Sequence, residues 1–308
     1  LSTTIWITGV AGFTGKHLVS YLKWQKNGLR IIGLDITPED PSVELDSFHQ
    51  LNLNKLDSVT KLAEQEPPSC VFHLAALLPP AREIDMWHVN VGGTVNLLMG
   101  LYKSVCENPR VICVGSASEY MASPTGLLTE ESPCGGETPH GRTKWAQTAV
   151  ALSLGKELKI PVIVARPFNL VGPRLPRTLV AGELCAQFAK SEANEIQIGN
   201  IHSERDFVDV RDAVAAYWAL AEKGEAGEIY NVCSGVSTRI EQLISMLCEI
   251  TGRYPKINIH STRFRSVDVD RVYGSREKIF RHTGWVPHIS LKQSLTDVLK
   301  EVRVELYS

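Results

Sequence analysis

Short runs of uninterrupted apolar residues alternate along the first half of the chain with longer stretches in which apolar positions recur every three or four residues. The short runs cover 5–8, 30–35, 70–75, 110–115 and 161–166. They lack the in–out alternation of a strand with one wet face, so they predict strands buried on both sides, as in a parallel sheet. The longer stretches, 14–26, 56–65, 86–106 and 144–157, predict amphipathic helices that serve as crossovers. Right-handed crossovers leave an α/β fold with a doubly wound parallel sheet as the economical arrangement. Past Arg166 the pattern loosens, with Pro167, Gly172-Pro173 and Pro176 breaking it and helices mixing with short strands. A first domain over 1–166 and a smaller mixed α/β lobe over 167–308 are expected, with segments near 206–232 returning to the first.

The turn after the first strand reads Thr8-Gly9-Val10-Ala11-Gly12-Phe13-Thr14-Gly15. Gly9, Gly12 and Gly15 suit a tight turn, close approach to a pyrophosphate, and close packing of helix on strand. The helix that opens there offers free N–H groups and a partial positive charge to phosphates. Three glycines at this spacing fit an ordinary turn as well. What favours a dinucleotide is Asp35, at the end of the second strand and about twenty residues beyond Gly15, where a carboxylate accepts from ribose hydroxyls. The competing reading of Asp35 is a turn residue ahead of Pro38. A carboxylate there repels a 2′-phosphate and no cation follows it directly, so NAD is expected in preference to NADP.

Bulk properties add exclusions. A net charge of −2 makes no electrostatic case for nucleic acid or an anionic membrane surface. Apolar runs are strand-sized, and no signal-peptide pattern opens the chain. The seven cysteines are scattered, form no CxxC pair and sit partly inside apolar runs, so they read as small buried hydrophobes. A cytoplasmic enzyme with neither disulfides nor a metal site is expected.

Six ordered segments resemble the extended short-chain dehydrogenases, the superfamily of nucleotide-sugar epimerases, dehydratases and 4-keto-reductases. They are TGVAGFTG at 8–15, HLAA at 73–76, NVGGTVNLL at 90–98, GSASEY at 115–120, the lysine end of a YxxxK-like motif at Lys144, and RPFNLVGP at 166–173. The resemblance implies a Rossmann domain with a nucleotide-sugar lobe, and a homodimer. It places Phe13, Asn52, Leu53, Ala75, Asn90 and Lys144 beside the cofactor with the glycines and Asp35. In the second half, Gly199–Phe207, 209–220 and 230–235 are most similar to GDP-4-keto-6-deoxymannose reductases and then to GDP-mannose 4,6-dehydratases. That similarity favours a GDP-linked sugar over UDP or dTDP sugars. It assigns Asn169, Asn200, Arg205, Arg265 and Asp268 to the substrate, the arginines gripping the diphosphate with their guanidinium forks. Surface or interlobe ion pairs are the competing reading of the arginines, and a turn residue that of Asn169.

The family's proton chemistry uses a Ser or Thr, a Tyr and a Lys. Ser116 and Lys144 match, but His140 stands where the tyrosine belongs. Three readings follow: His140 relays the proton, its imidazole titrating near neutrality; Glu119 or Tyr120 takes over; or keto-reductase chemistry is gone, leaving an isomerase or a binding protein. Glu119 and Ser116 are also counted as substrate-facing. Ser118 occupies the place where dehydratases carry a carboxylate, which weakens that reaction. The loop Leu77-Leu78-Pro79-Pro80 is apolar where the family has small polar residues. His73 is expected to be a packing residue.

Overall fold

The computed structural model describes residues 3–25, 28–104, 108–190, 194–263 and 270–307. Its central sheet contains β1 (Thr3–Thr8), β2 (Leu29–Asp35), β3 (Ser47–Gln50), β4 (Cys70–His73) and β5 (Arg110–Val114), with Val162–Pro167 and Ile229–Val232. All seven run parallel in the order Ile229–Val232, Val162–Pro167, β5, β4, β1, β2, β3. Alternate side chains of β1 enter opposite cores. Ile5 and Ile7 pack with Tyr217 and Leu220 on one face, and Trp6 packs with Leu97 and Leu101 on the other. Burial on both faces is why the strands are continuously apolar, and each such large side chain contributes about 1.5–3 kcal/mol. Two strands lie outside the apolar runs, the polar Ser47–Gln50 at one edge and Ile229–Val232 at the other.

Helix α1 (Phe13–Gln25) follows the glycine turn. The helix Pro139–Leu158 begins well before residue 144, where periodicity alone put it. Thr138 caps it by accepting from Gly141 N at 3.0 Å, and Pro139 occupies its first turn. His140 and Lys144 therefore lie one turn apart on one helix face.

The second lobe gathers the helices Val180–Ala189, Ile240–Thr251 and Leu291–Tyr307 around Leu184, Phe188, Leu243, Leu247, Leu295 and Val298. Three contacts tie it to the first. Phe13 packs against its core, and His17 Nε2 lies 2.8 Å from Pro173 O. Asp209, which caps the helix Val210–Lys223, also accepts from Ser294 Oγ at 2.5 Å. Among the described residues no helix is long and apolar enough to cross a membrane.

Candidate active site

The carboxyl ends of three strands converge. Gly9, with φ of +71°, turns the chain out of β1; a Cβ there would lie 2.8 Å from Ala75 N, and one on Gly15 would lie 2.5 Å from Gly9 O. Only glycine permits this approach. Asp35 Oδ2 accepts from Ala11 N at 2.9 Å, and Oδ1 accepts from Thr37 N and Oγ1, both at 3.0 Å. The carboxylate is thereby held against the glycine turn with lone-pair capacity left for ribose hydroxyls. Glycine turn, acid and Ala75 backbone together fit a dinucleotide.

Other residues expected beside the cofactor take these places in the packing. Asn90 is fully buried: Oδ1 accepts from Leu77 N at 2.7 Å, while Nδ2 donates to Leu77 O at 3.1 Å and Thr143 Oγ1 at 3.0 Å. With its amide engaged on both sides, Asn90 clips the 74–81 loop to the Pro139–Leu158 helix. It sits in a π turn, Trp87–Gly92, whose extra residue per turn aims it inward. Leu53 packs its side chain in the core cluster that includes Leu97. Asn52 Oδ1 accepts from Asn54 N at 2.9 Å, closing an Asx turn.

Ser116 lies two residues beyond the end of β5, after Gly115, in extended backbone. Its Oγ accepts from Ser118 N at 3.1 Å and Ser118 Oγ at 2.8 Å, which leaves its own hydroxyl proton to donate. The Ser116–Ser118 turn lies on the start of the helix bearing His140, and only a glycine at 141 allows it: a Cβ there would overlap Ser118 O. Lys144 is almost wholly buried, its Nζ donating to Val114 O at 2.5 Å and to Gln147 Oε1. Burial holds its ammonium below the usual lysine range. The same effect, helped by the nearby Lys144 charge and opposed by the Leu77 backbone, pushes His140 down to about 4, so the imidazole is neutral at pH 7. Its Nδ1 is buried and makes no hydrogen bond among the described residues.

Glu119 and Tyr120, the other candidates near Ser116, are both engaged in the core. Glu119 is completely buried and paired with Arg166 Nε at 2.8 Å, and it also accepts from Ser116 N at 2.7 Å. It fastens the serine turn from beneath, its carboxylate turned to Arg166 and Ser116 N in the core. Tyr120 donates its hydroxyl to Asn231 Oδ1 at 2.7 Å inside the core, and burial raises its pKa far out of reach.

On the other lobe, Asn169 is exposed and donates from Nδ2 to Asp206 O at 2.8 Å, while the strand containing it pairs with Phe207–Asp209. Arg205, half-buried, thus stands near Asn169, with Asn200 on the turn leading in, its Oδ1 accepting from His202 N. Arg265 and Asp268 lie outside the described residues. Sequence reasoning missed Asp206, which is fully buried and accepts from Ser234 N, Ser234 Oγ and Gly235 N at 2.7–2.9 Å. It organises the loops beside Arg205; its signal was an acid directly ahead of the apolar pair Phe207-Val208.

A doubly wound parallel sheet with a glycine turn, an acid held against it and a second lobe define the class of extended short-chain dehydrogenases. The chain belongs to the NAD dependent epimerase/dehydratase family, whose model matches residues 5–233. It is 32% identical to the GDP-6-deoxy-D-mannose reductase of Pseudomonas aeruginosa over 98% of this chain and 97% of that one. Identity to the GDP-6-deoxy-D-talose 4-dehydrogenase of Aggregatibacter actinomycetemcomitans is 27%, with 91% of each covered. Its fold superposes on RMD from Pseudomonas aeruginosa complexed with NADPH with a TM-score of 0.86, at 31% identity over 98% and 99% of the two chains.

Proposed function

We propose that this chain is an NAD-dependent oxidoreductase acting at C4 of a nucleotide-activated sugar, a GDP-linked 4-keto or 6-deoxy sugar being favoured. The observation that carries this is the placement of Ser116, His140 and Lys144 around the strand edge that also bears the glycine turn and Asp35. The names of the two relatives, both acting on GDP-linked 6-deoxy sugars, support the substrate class. Gly9, Gly12, Gly15, Phe13 N–H and Asp35 would hold the dinucleotide, whose nicotinamide supplies a hydride acceptor or donor. Ser116 donates to the reacting oxygen. His140, neutral and shorter than a phenol, takes the proton of a sugar hydroxyl through one bridging water. Lys144 supplies positive charge and meets the nicotinamide ribose. A neutral imidazole serves oxidation better than ketone reduction, which also suits an epimerase that oxidises its sugar transiently.

The direct test is calorimetry with NAD, NADP, and GDP- and UDP-sugars, followed by turnover. NAD should bind at least about tenfold tighter than NADP because the Asp35 carboxylate would repel a 2′-phosphate. Equal affinities, or no preference for the guanine nucleotide, would overturn the assignment. His140→Phe keeps the ring's volume and removes its nitrogens. Turnover should fall about 10²–10⁴-fold with dinucleotide affinity retained. In the unaltered protein the step should fade as pH drops through about 4, where the imidazole protonates and no longer accepts. A fully active phenylalanine variant ends the histidine's role.

A further inference from the structure

We propose that Gln147 is a positioning residue for Lys144, its amide anchored by a buried chain of hydrogen bonds that reaches back to the glycine turn and fixes where the ammonium stands. This deepens, and rests on, the catalytic reading of Lys144 given above. Gln147 is fully buried one turn beyond the lysine. Its Oε1 accepts from Lys144 Nζ and its Nε2 donates to Thr94 Oγ1 at 3.0 Å. Thr94 spends its own proton on Asn90 O at 2.7 Å, so Oγ1 meets its other partners only as an acceptor. It therefore receives the Nε2 proton of His73 at 2.8 Å, which sets that ring's tautomer and leaves His73 Nδ1 to accept from Thr8 Oγ1 at 2.8 Å.

Every direction in the chain is thus determined. Thr8 donates to His73, His73 and Gln147 donate to Thr94, and Lys144 donates to Gln147. A flipped Gln147 amide would turn an N–H toward an ammonium and a carbonyl toward an oxygen with no proton to give, so the geometry admits one orientation. Thr8 immediately precedes Gly9, and its Oγ1 also accepts from Ala75 N at 3.2 Å. The network therefore runs from the dinucleotide turn to the lysine. Val114 O and Gln147 Oε1 occupy two of the three ammonium N–H bonds, and the third is the one with which Lys144 can meet a bound ribose or water. The titratable groups facing the lysine are Cys113 at the end of β5, Glu119 in the turn after it, His73 at the end of β4, and His140 on its own helix. None of these four is a hydrogen-bond acceptor of Nζ among the described residues. Gln147 is the side-chain contact through which the ammonium's position is set.

The test uses the full chain labelled with ¹³C at lysine Cε, with the Lys144 resonance followed against pH by NMR. Gln147→Glu replaces the amide acceptor with a charged one and should move the lysine's titration up by about one pH unit or more. Gln147→Met removes the acceptor at similar volume and should move it down. Turnover profiles against pH should follow in the same opposite directions. Shifts of opposite sign are what positioning requires. A merely structural Gln147 would give no shift, or the same shift in both folded variants, and either result overturns the proposal. Should Gln147→Met fail to fold, Gln147→Glu decides alone: an upward shift supports the contact and an unmoved titration refutes it. A wild-type chain that binds no dinucleotide sinks the catalytic reading instead, and the Lys144 titration still judges this one.

Discussion

Lys144→Met is expected to lower dinucleotide-dependent turnover about a thousandfold while the protein stays folded. Methionine matches the length of the lysine stem, so the buried channel between β5 and the Pro139–Leu158 helix stays filled. What disappears is the charge and two hydrogen bonds, to Val114 O and Gln147 Oε1. Leaving those acceptors unpaired costs about 1–3 kcal/mol of stability, which denaturant titration would register without loss of the native state. A second readout is independent of turnover. The Lys144 charge depresses His140 and His73 alongside their burial. Removing it should raise the His140 titration above about 4, visible as a shift of its ring-proton resonances with pH. If turnover falls by less than about tenfold, Lys144 does not take part in the chemistry, wherever it points. If turnover collapses while His140 titrates as before, the two groups act apart.

The fold was legible because burial on both faces of a parallel sheet leaves its mark strand by strand. Val111, Ile112 and Cys113 are apolar in succession for the same reason that all three are buried. Ser47–Gln50 escaped that logic. As an edge strand with partial exposure it carries Ser, His and Gln around one apolar residue, Phe48, and a single apolar position does not distinguish a strand from a loop. The start of the helix bearing His140 was in fact written in Thr138-Pro139, an N-cap and a proline that periodicity alone overlooks.

The site was legible where backbone geometry dictates the residue, as at Gly9 and Gly15, and obscure where a side chain's direction depends on a distant partner. Glu119 stands three residues from Ser116, and proximity in sequence argues for a shared substrate. Its true orientation is set by Arg166, forty-seven positions away, and by the capping box it closes with Ser116. Asn90 is oriented in the same manner, its partners being the backbone of Leu77 and the hydroxyl of Thr143. Spacing along the chain cannot report a contact that only the folded sheet creates.

Arg166→Met should be the most destabilising single change at the site, costing about 3–5 kcal/mol at neutral pH. Arg166 and Glu119 are 2% and 0% exposed, so losing the guanidinium strands a carboxylate with no access to water. Methionine fills most of the space, which separates the charge effect from a cavity. Burial already holds Glu119 above the usual carboxylate range, with Arg166 the largest opposing influence. Without that cation, Glu119 rises further above its unfolded value. A group raised in this sense is tolerated when protonated, so the deficit should be smallest at low pH. It should grow as pH climbs through the folded-state pKa, because ionisation is then forced in the core. Urea titrations at several pH values would show that slope. Adding Glu119→Gln should recover much of the loss, since an amide can still accept from Ser116 N and carries no charge into the core. Loss below about 1 kcal/mol, or a deficit flat with pH, would mean that the ion pair is not what fastens the Ser116 turn beneath the reacting groups.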